Sequence, residues 1–180
     1  MRVISGERRG KKLQTLEGLE VRPTSDRVKE ALFDILQFSV EGCRFLDLFA
    51  GSGQVGIEAI SRGAKLAVMI DESRDAIRVV EKNLTATSFG DRAKVVRGDA
   101  LAYLRATRES FDIAFLDPPY RIGLLQQALP LAAQRMAPGG RILCEHPREE
   151  ELPEQAGSFV KKKVYTYGKI ALTLYGEESL

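Results

Sequence analysis

Hydrophobic positions along the chain follow two alternating spacings, which predict a series of helices and strands. After the turn-forming stretch RPTSD (22–26), apolar residues recur every three or four positions, as in an amphipathic helix, up to about Phe38. Further helices are predicted from Val55 to Gly63, from about Ser73 to Leu84, across ALAYLRA (100–106) and from roughly Ile122 to Met136. Short apolar runs between them indicate buried strands: RFLDLF (44–49), LAVMI (66–70), AKVV (93–96), FDIAFLD (111–117) and RILCEH (141–146), the last preceded by a PGG turn (138–140).

The alternation of strands and helices determines the expected fold class. Strands joined through helices run parallel in one sheet and carry helices on both faces. The C-terminal stretch FVKKKVYTYGKIALTLY (159–175) breaks the rhythm, because its two strands are joined by a tight Tyr167-Gly168 turn with no helix between them. We therefore predict an α/β, Rossmann-like fold with a mainly parallel seven-stranded sheet, helices on both faces and a C-terminal antiparallel hairpin.

Composition is typical of a globular protein. The 180 residues are 44% apolar and 29% charged, which suits one domain over residues 1–180. No run approaches the roughly 20 apolar residues that span a bilayer, and MRVISGERRG lacks the apolar segment of a signal peptide. We therefore expect a cytoplasmic protein without a membrane partner. Cys43 and Cys144 lack metal-ligand spacing, so we expect reduced core cysteines and no metal site.

Positive charge is concentrated at the N-terminus. The net charge is only +2, yet residues 1–29 hold eight basic and four acidic side chains, which gives this segment a charge of +4. A basic arm at about 1–21 on a nearly neutral body is typical of contacts to a nucleic-acid backbone. A solvated, flexible terminus explains the same charge equally well. The candidate RNA-binding residues are Arg8, Arg9, Lys11, Lys12, Arg22 and Arg27.

A glycine-rich turn lies in LDLFAGSGQVGIEAISRGA (46–64), between a predicted strand and a predicted helix. Gly51, Gly53 and Gly56 form a G-x-G-x-x-G pattern, which lets the backbone approach an adenosine-bearing cofactor closely. Sites for NAD and for S-adenosylmethionine both use such a turn. The glycines therefore predict a cofactor of this kind without deciding which one.

Aspartates at the ends of the first three strands favour one cofactor. Asp47 disfavours a pyrophosphate and suits the positive amino-acid end of S-adenosylmethionine, Asp71 suits the ribose hydroxyls, and Asp99 suits the adenine amino group. Structural alternatives remain, because Asp99 can cap the following helix and Asp47 can accept backbone N–H bonds of the glycine turn. The combination favours S-adenosylmethionine over NAD. The candidate cofactor-binding residues are Asp47, Phe49, Ala50, Gly51, Ser52, Gly53, Asp71, Glu72, Asp99 and Ala100.

The stretch LDPPY (116–120) carries the candidate chemistry. Neither proline has an N–H, so the loop offers mainly acceptors, and Asp117 and the Pro118 carbonyl can each accept one N–H of a nucleobase amino group. Tyr120 can stack on the base, so the candidate catalytic residues are Asp117, Pro118, Pro119 and Tyr120. A rigid turn after a strand is the structural alternative. His146, the single histidine, is more simply explained as a packed residue than as a general base.

Taken in order, these motifs resemble one family. RPTSDRVKEALFDIL (22–36), FLDLFAGSGQVGIEAISRGA (45–64), FLDPPY (115–120) and the basic opening RVISGERRGKKL (2–13) are similar to bacterial 16S ribosomal RNA guanine-N2 methyltransferases. The resemblance implies a class I methyltransferase that acts as a monomer on the small ribosomal subunit, at guanine 966 in the family's rRNA numbering. Members often have Glu at the position of Asp71, and other polar residues occur at the position of Asp99.

Three other functions fit parts of the sequence. D-P-P-Y alone also suits a DNA adenine or cytosine amino-methyltransferase, although 180 residues leave little room for a target-recognition domain. A non-catalytic RNA-binding protein with a vestigial cofactor fold predicts a decayed catalytic loop, which is not seen. An NAD oxidoreductase explains the glycines and Asp71, but neither D-P-P-Y nor the terminal hairpin.

Overall fold

The fold is built on one eight-stranded sheet with helices on both faces. The computed structural model describes residues 1–16, 24–120 and 123–178. Its strands are β1 (Arg44–Asp47), β2 (Leu66–Asp71), β3 (Ala93–Arg97), β4 (Phe111–Leu116), β5 (Met136–Pro147), β6 (Gln155–Ala156), β7 (Phe159–Tyr167) and β8 (Ile170–Glu177). Its helices are α1 (Asp26–Leu36), α2 (Gln54–Ser61), α3 (Arg74–Thr87), α4 (Ala100–Ala106) and α5 (Leu124–Ala133), with a 3₁₀ turn at Gly90–Arg92.

The order of the strands fixes where a ligand can bind. Across the sheet the order is β3-β2-β1-β4-β5-β8-β7-β6, with parallel pairing from β3 to β5 and antiparallel pairing beyond β5. The strand order reverses between β1 and β4. In open α/β sheets, ligands bind outside the carboxyl ends of the strands at such a reversal. The predicted fold class is confirmed, and the crevice between β1 and β4 is the expected site.

Each face of the sheet carries its own hydrophobic core. On one face α1, α2 and α3 pack through residues such as Leu32, Ile57 and Val80. On the other face α4 and α5 pack through residues such as Leu104 and Leu129. Cys43 and Cys144 are buried and free, as expected for reduced core cysteines.

Three details of the sheet differ from the sequence prediction. The count of seven strands was wrong, because the two-residue β6 adds an eighth strand beside β7. The hairpin turn is formed by Gly168 and Lys169 rather than by Tyr167-Gly168, since Tyr167 pairs with Ile170. The PGG stretch (138–140) is not a separate turn but part of β5, where the register against β4 shifts. The predicted start of α5 at Ile122 lies outside the described residues.

Residues 1–16, the described part of the predicted N-terminal arm, form a docked hairpin and not a flexible terminus. Arg2 and Lys12 form an antiparallel bridge, and the hairpin lies along α2. The buried carboxylate of Glu58 accepts the backbone N–H groups of Ile4 and Ser5 at 2.8 and 3.0 Å. These bonds satisfy backbone donors that would otherwise lie unpaired against the protein, so they fix the hairpin in place.

Beneath the hairpin lies a buried ion pair. The side chains of Lys29 and Glu58 are both fully buried, with Nζ and Oε1 3.6 Å apart. Lys29 Nζ also donates to the Arg2 carbonyl at 2.7 Å and to Gln54 Oε1 at 3.3 Å. Burial lowers the pKa of Lys29, while the Glu58 carboxylate opposes that change. Lys29, counted among the basic residues of the N-terminal segment, is thus an internal cation that links α1, α2 and the hairpin.

Candidate active site

Five acidic residues line the carboxyl edge of the parallel strands. Asp47 and Asp71 are the last residues of β1 and β2, and Asp99 follows β3 by two residues. Asp117 directly follows β4, and Glu145 lies near the end of β5. The order β3-β2-β1-β4-β5 therefore sets these residues side by side, with Asp47 and Asp117 flanking the reversal between β1 and β4.

Glycines shape the loop between β1 and α2. Gly51 and Gly53 have φ of +56° and +81°, values that other residues rarely adopt. A Cβ atom at Gly56 would lie 2.8 Å from the Met69 side chain, so this glycine lets α2 pack closely on β2. The loop therefore turns sharply at the end of β1, as a cofactor loop of this fold does.

Two of the acids hold this loop directly. Asp47 Oδ2 accepts the N–H of Gly56 at 3.1 Å, and Asp71 Oδ2 accepts the N–H of Gly51 at 2.9 Å. Burial raises the pKa of Asp47 to about 7, and the neighbouring Asp71 carboxylate adds to the rise. Asp47 is only 1% exposed, so an ionised carboxylate there is stabilised by a cationic ligand group and opposed by an anionic one. The loop-anchoring alternative for Asp47 is observed, and its cofactor role stays a prediction.

The other cofactor candidates lie around the same loop. Asp99 Oδ2 accepts the Ala102 N–H at 2.8 Å and caps α4, so the capping alternative is observed here too. Asp99 is nevertheless exposed at the carboxyl edge. The remaining candidates are in the loop after β1, directly after β2 and at the start of α4: Phe49, Ala50, Ser52, Glu72 and Ala100.

The D-P-P-Y loop lies at the carboxyl edge of the sheet, next to the glycine loop. Pro118 is buried, whereas Pro119 is exposed and the Tyr120 side chain is 55% exposed. Asp47 lies close enough to Asp117 to raise its pKa. The loop thus presents an aromatic ring and a carboxyl group on the β4 side of the crevice, opposite the glycine loop on the β1 side.

The sequence motifs missed a second carboxyl group in this loop's surroundings. Glu145 of β5 is hydrogen-bonded to Asp117, and Thr24 Oγ1 donates to Glu145 Oε2 at 3.4 Å. Burial raises the pKa of Asp117 well above its usual range, and the neighbouring Glu145 carboxylate raises it further. The pKa of Glu145 is also raised by burial. An acid at a strand end, the pattern that identified Asp47, Asp71 and Asp99, would have found Glu145 as well.

His146 is a structural residue. Its Nδ1 lies 2.8 Å from the Pro147 carbonyl oxygen, and its Nε2 lies 2.7 Å from Thr173 Oγ1. The side chain is buried between β5 and β8. Both ring nitrogens therefore have partners within the protein, which agrees with the packed role predicted for the lone histidine.

The basic candidates do not form one patch. Arg8 Nε donates to the Thr87 carbonyl at 2.7 Å, at the end of α3 that lies about 20 Å from the carboxyl edge. Arg9, Lys11 and Lys12 are exposed on the hairpin, and Arg27 is exposed in the first turn of α1, near the carboxyl edge. Arg22 lies outside the described residues. Arg8 thus anchors the hairpin tip, while the other described cations are accessible.

Within the described ranges, no group of three or more His, Cys, Asp or Glu side chains could hold a metal ion. Nor does this part of the chain contain a helix with the length and apolar character needed to cross a membrane.

Comparison with known proteins gives consistent matches over nearly the whole chain. Residues 1–176 match the model of a family described as Conserved hypothetical protein 95. The chain is 42% identical over 180 residues to YlbH of Bacillus subtilis, a proposed rRNA methyltransferase, covering 97% of this chain and 98% of that protein. It is 35% identical over 181 residues to ribosomal RNA small subunit methyltransferase D of Escherichia coli, covering 99% and 91%. The solved structure of YhhF from Escherichia coli, a proposed methyltransferase, superposes with a TM-score of 0.88 at 33% identity, covering 100% and 99%.

Proposed function

Because the chain belongs to the family described as Conserved hypothetical protein 95, together with ribosomal RNA methyltransferases, we propose that it methylates the N2 amino group of a guanine in 16S ribosomal RNA. That the protein is a ribosomal RNA methyltransferase follows from its relatives. We further propose that S-adenosylmethionine is the methyl donor and that guanine 966, in the family's rRNA numbering, is the target. The substrate in this proposal is the assembling or assembled small subunit. The enzyme acts in the cytoplasm as a monomer with one domain.

The observation that carries the proposal is the position of Asp117. Its carboxyl group follows β4 at the reversal of the strand order, across the crevice from the glycine loop. A planar amino group needs acceptors for its two N–H donors, and the Asp117 carboxyl and the Pro118 carbonyl are of that kind. Tyr120 is exposed beside them and suits stacking on the face of the same base.

The residues around the glycine loop fit S-adenosylmethionine. Asp47 and Asp71 both lie against the glycine loop, so this loop carries negative charge where a pyrophosphate would need positive charge or free N–H donors. The buried Asp47 carboxylate favours a cationic ammonium or sulfonium group instead. We assign the amino-acid end of the cofactor to Asp47, the ribose to Asp71 and the adenine to Asp99.

The protein's part in the reaction is to orient the base and to take a proton. When bound, S-adenosylmethionine supplies a methyl group that its positive sulfur has already activated. The guanine amino group is a weak nucleophile, since its lone pair is delocalised into the ring. Holding its hydrogens on Asp117 and Pro118 aligns the nitrogen, and the carboxyl group of Asp117 accepts the proton that the methylated amine releases.

A product assay tests this proposal. The protein is incubated with labelled S-adenosylmethionine and, in separate reactions, naked ribosomal RNA, small subunits from a strain without the methylation, and duplex DNA. We expect N2-methylguanosine from the subunit reaction and far less of it with Asp117→Ala. N6-methyladenine or N4-methylcytosine in the DNA reaction would overturn the proposal in favour of a DNA amino-methyltransferase.

The hairpin cations are expected to contact the RNA backbone. Replacing Arg9, Lys11 and Lys12 with Ala should weaken RNA binding and lower the slope of log K against log salt by roughly 2, at about 0.7 for each lost contact with a single strand. Arg8 is left intact because it anchors the hairpin. Fluorescence anisotropy titrations at several salt concentrations provide the measurement.

The matched control removes three exposed cations elsewhere. Lys65, Arg78 and Lys82 lie outside the hairpin and are exposed, so replacing them with Ala gives the same change in net charge. The control should leave the salt slope nearly unchanged. Equal slopes for the hairpin variant and the wild type would show that the hairpin is not part of the RNA-binding surface.

A further inference from the structure

The carboxyl group of Glu145 lies beside that of Asp117 at the ends of two neighbouring strands. Cys144 of β5 pairs with Leu116 of β4, so Glu145 and Asp117 follow paired positions. The Glu145 residue is only 5% exposed, and its carboxyl group is hydrogen-bonded to that of Asp117. Glu145 belongs to neither the glycine loop nor the D-P-P-Y motif. Its burial against the proposed acceptor of the base therefore calls for a role of its own.

Thr24 holds the other side of this pair. Its hydroxyl donates to Glu145 Oε2 at 3.4 Å and lies close enough to Asp117 to lower the pKa of that carboxyl group. The Thr24 carbonyl accepts from Gln54 Nε2 at 3.2 Å, and Gln54 Oε1 accepts from Lys29 Nζ at 3.3 Å. Thr24, Gln54 and Lys29 are all buried. The two carboxyl groups are thus held by a continuous internal chain of hydrogen bonds and not by mobile surface groups.

Two carboxyl groups that lie against each other favour a state in which they share one proton. Burial raises the pKa of each group, and the neighbouring Glu145 carboxylate raises the pKa of Asp117 further. Among the described residues, Asp47 from β1 also faces Asp117, and its carboxyl group raises the pKa of Asp117 further. The hydrogen bond between the two groups restricts the orientation of the Asp117 carboxyl group, which then presents an acceptor to an N–H of the base.

We propose that Glu145 is a positioning residue for methyl transfer: it fixes the Asp117 carboxyl group through the hydrogen bond between them, and Thr24 holds Glu145 in turn. The inference rests on the proposed function of Asp117 as acceptor for the amino group of the base. Glu145 acts through Asp117, so it affects the alignment of the bound base more than the binding of RNA or cofactor.

Kinetics of Glu145→Gln test this role. The amide has the same shape but cannot share a proton between two carboxyl groups. We expect kcat to fall by about tenfold to a hundredfold, because a small misalignment of a reacting group has effects of this size. The KM for small subunits and the Kd for S-adenosylmethionine should change less than about twofold. Glu149→Gln, the same change at an exposed position nearby, is the matched control and should behave as the wild type.

Conservative variants separate positioning from simple packing. Glu145→Asp keeps a carboxyl group and should recover part of the lost kcat, and Thr24→Ser keeps the hydroxyl and should retain nearly full kcat. Thr24→Val removes the hydroxyl and should lower kcat by less than Glu145→Gln does. If Glu145→Asp is no better than Glu145→Gln, the shared carboxyl contact is not what matters, and the proposal fails.

The pH dependence of stability, measured without cofactor or RNA, gives an independent readout. A carboxyl group whose pKa is raised on folding holds a proton that the unfolded chain has lost, so the free energy of unfolding falls as pH rises above the ordinary carboxyl pKa of about 4. In Glu145→Gln one such group is gone, and removing its charge lowers the pKa of Asp117. We therefore expect a shallower fall from pH 5 to 8 in the variant than in the wild type.

These measurements distinguish failure of the inference from failure of the proposed function. If the wild type methylates no subunits, the proposed function fails, yet the stability comparison still shows whether the two carboxyl groups share a proton. Wild-type kcat together with an unchanged pH dependence in Glu145→Gln would overturn the inference alone. Lost cofactor binding in a folded Glu145→Gln protein would overturn it as well, since it would assign Glu145 to the cofactor site.

Discussion

Asp117→Ala is expected to lower kcat for the methylation of small ribosomal subunits by roughly a thousandfold, as loss of a positioned acid–base group does. The variant loses both the acceptor that orients the amino group and the carboxyl group that takes its proton. Cofactor binding should remain nearly unchanged, because Asp47 and Asp71, which hold the glycine loop, lie across the crevice. Single-turnover rates at saturating RNA and calorimetric titration with S-adenosylmethionine measure the two effects separately.

Two variants sharpen this result. Asp117→Asn keeps an amide oxygen that can accept an N–H, so its rate should lie between those of Asp117→Ala and the wild type. Asp112→Asn is the matched control at the other end of β4. Asp112 Oδ2 accepts the backbone N–H of Arg44 at 2.8 Å, and the rate of this variant should be unchanged. If Asp117→Ala also unfolds and no longer binds the cofactor, Asp117 is a structural residue and the proposed site is wrong.

The second large effect is expected on stability. Glu58→Ala should lower the free energy of unfolding by about 3–5 kcal/mol, since removing one partner leaves the buried Lys29 ammonium without its counter-charge. The same change leaves the N–H groups of Ile4 and Ser5 without their acceptor, so the hairpin should detach from α2. Urea denaturation measures the loss of stability, and hydrogen exchange at residues 4 and 5 reports on the hairpin.

An exposed ion pair provides the control for this prediction. In α3, Arg78 Nη1 lies 3.9 Å from Asp75 Oδ1, and the two side chains are 67% and 84% exposed. Arg78→Ala should cost less than about 1 kcal/mol, because solvent screens such a pair and its removal leaves no buried charge. Similar costs for Glu58→Ala and Arg78→Ala would show that the Lys29–Glu58 pair does not support the fold.

The parts of the fold that depend on residues close together in the sequence were predictable. Ser25 and Ser73 accept backbone N–H groups at the starts of α1 and α3, which are the helix starts that the sequence indicates. Details that depend on pairing with a distant strand were not predictable. The two-residue β6 forms only because β7 lies beside it, and 138–140 joins β5 because β4 pairs with the residues around it.

The candidate site was predictable to a similar extent. A strand followed by glycines or by D-P-P-Y is a local pattern, so the loops after β1 and β4 were identified from sequence. The partner of Lys29 lies 29 residues away in Glu58, and Asp117 lies 28 residues from Glu145, so neither contact leaves a local pattern. Charge counting therefore included Lys29 among the basic residues of the N-terminal segment, although tertiary packing makes it an internal cation.

The row of acids along the carboxyl edge restricts how a nucleotide can enter. Its negative potential repels phosphates, whereas the exposed cations of the hairpin attract them. We therefore expect a nucleotide to reach this edge base first, with its sugar–phosphate chain outside. Such an approach requires the target base to leave its stack, at a cost on the order of a few kcal/mol when it is stacked. We then expect a folded RNA that presents this base already unstacked to be the better substrate, so that the conformation of the RNA becomes part of the enzyme's selectivity.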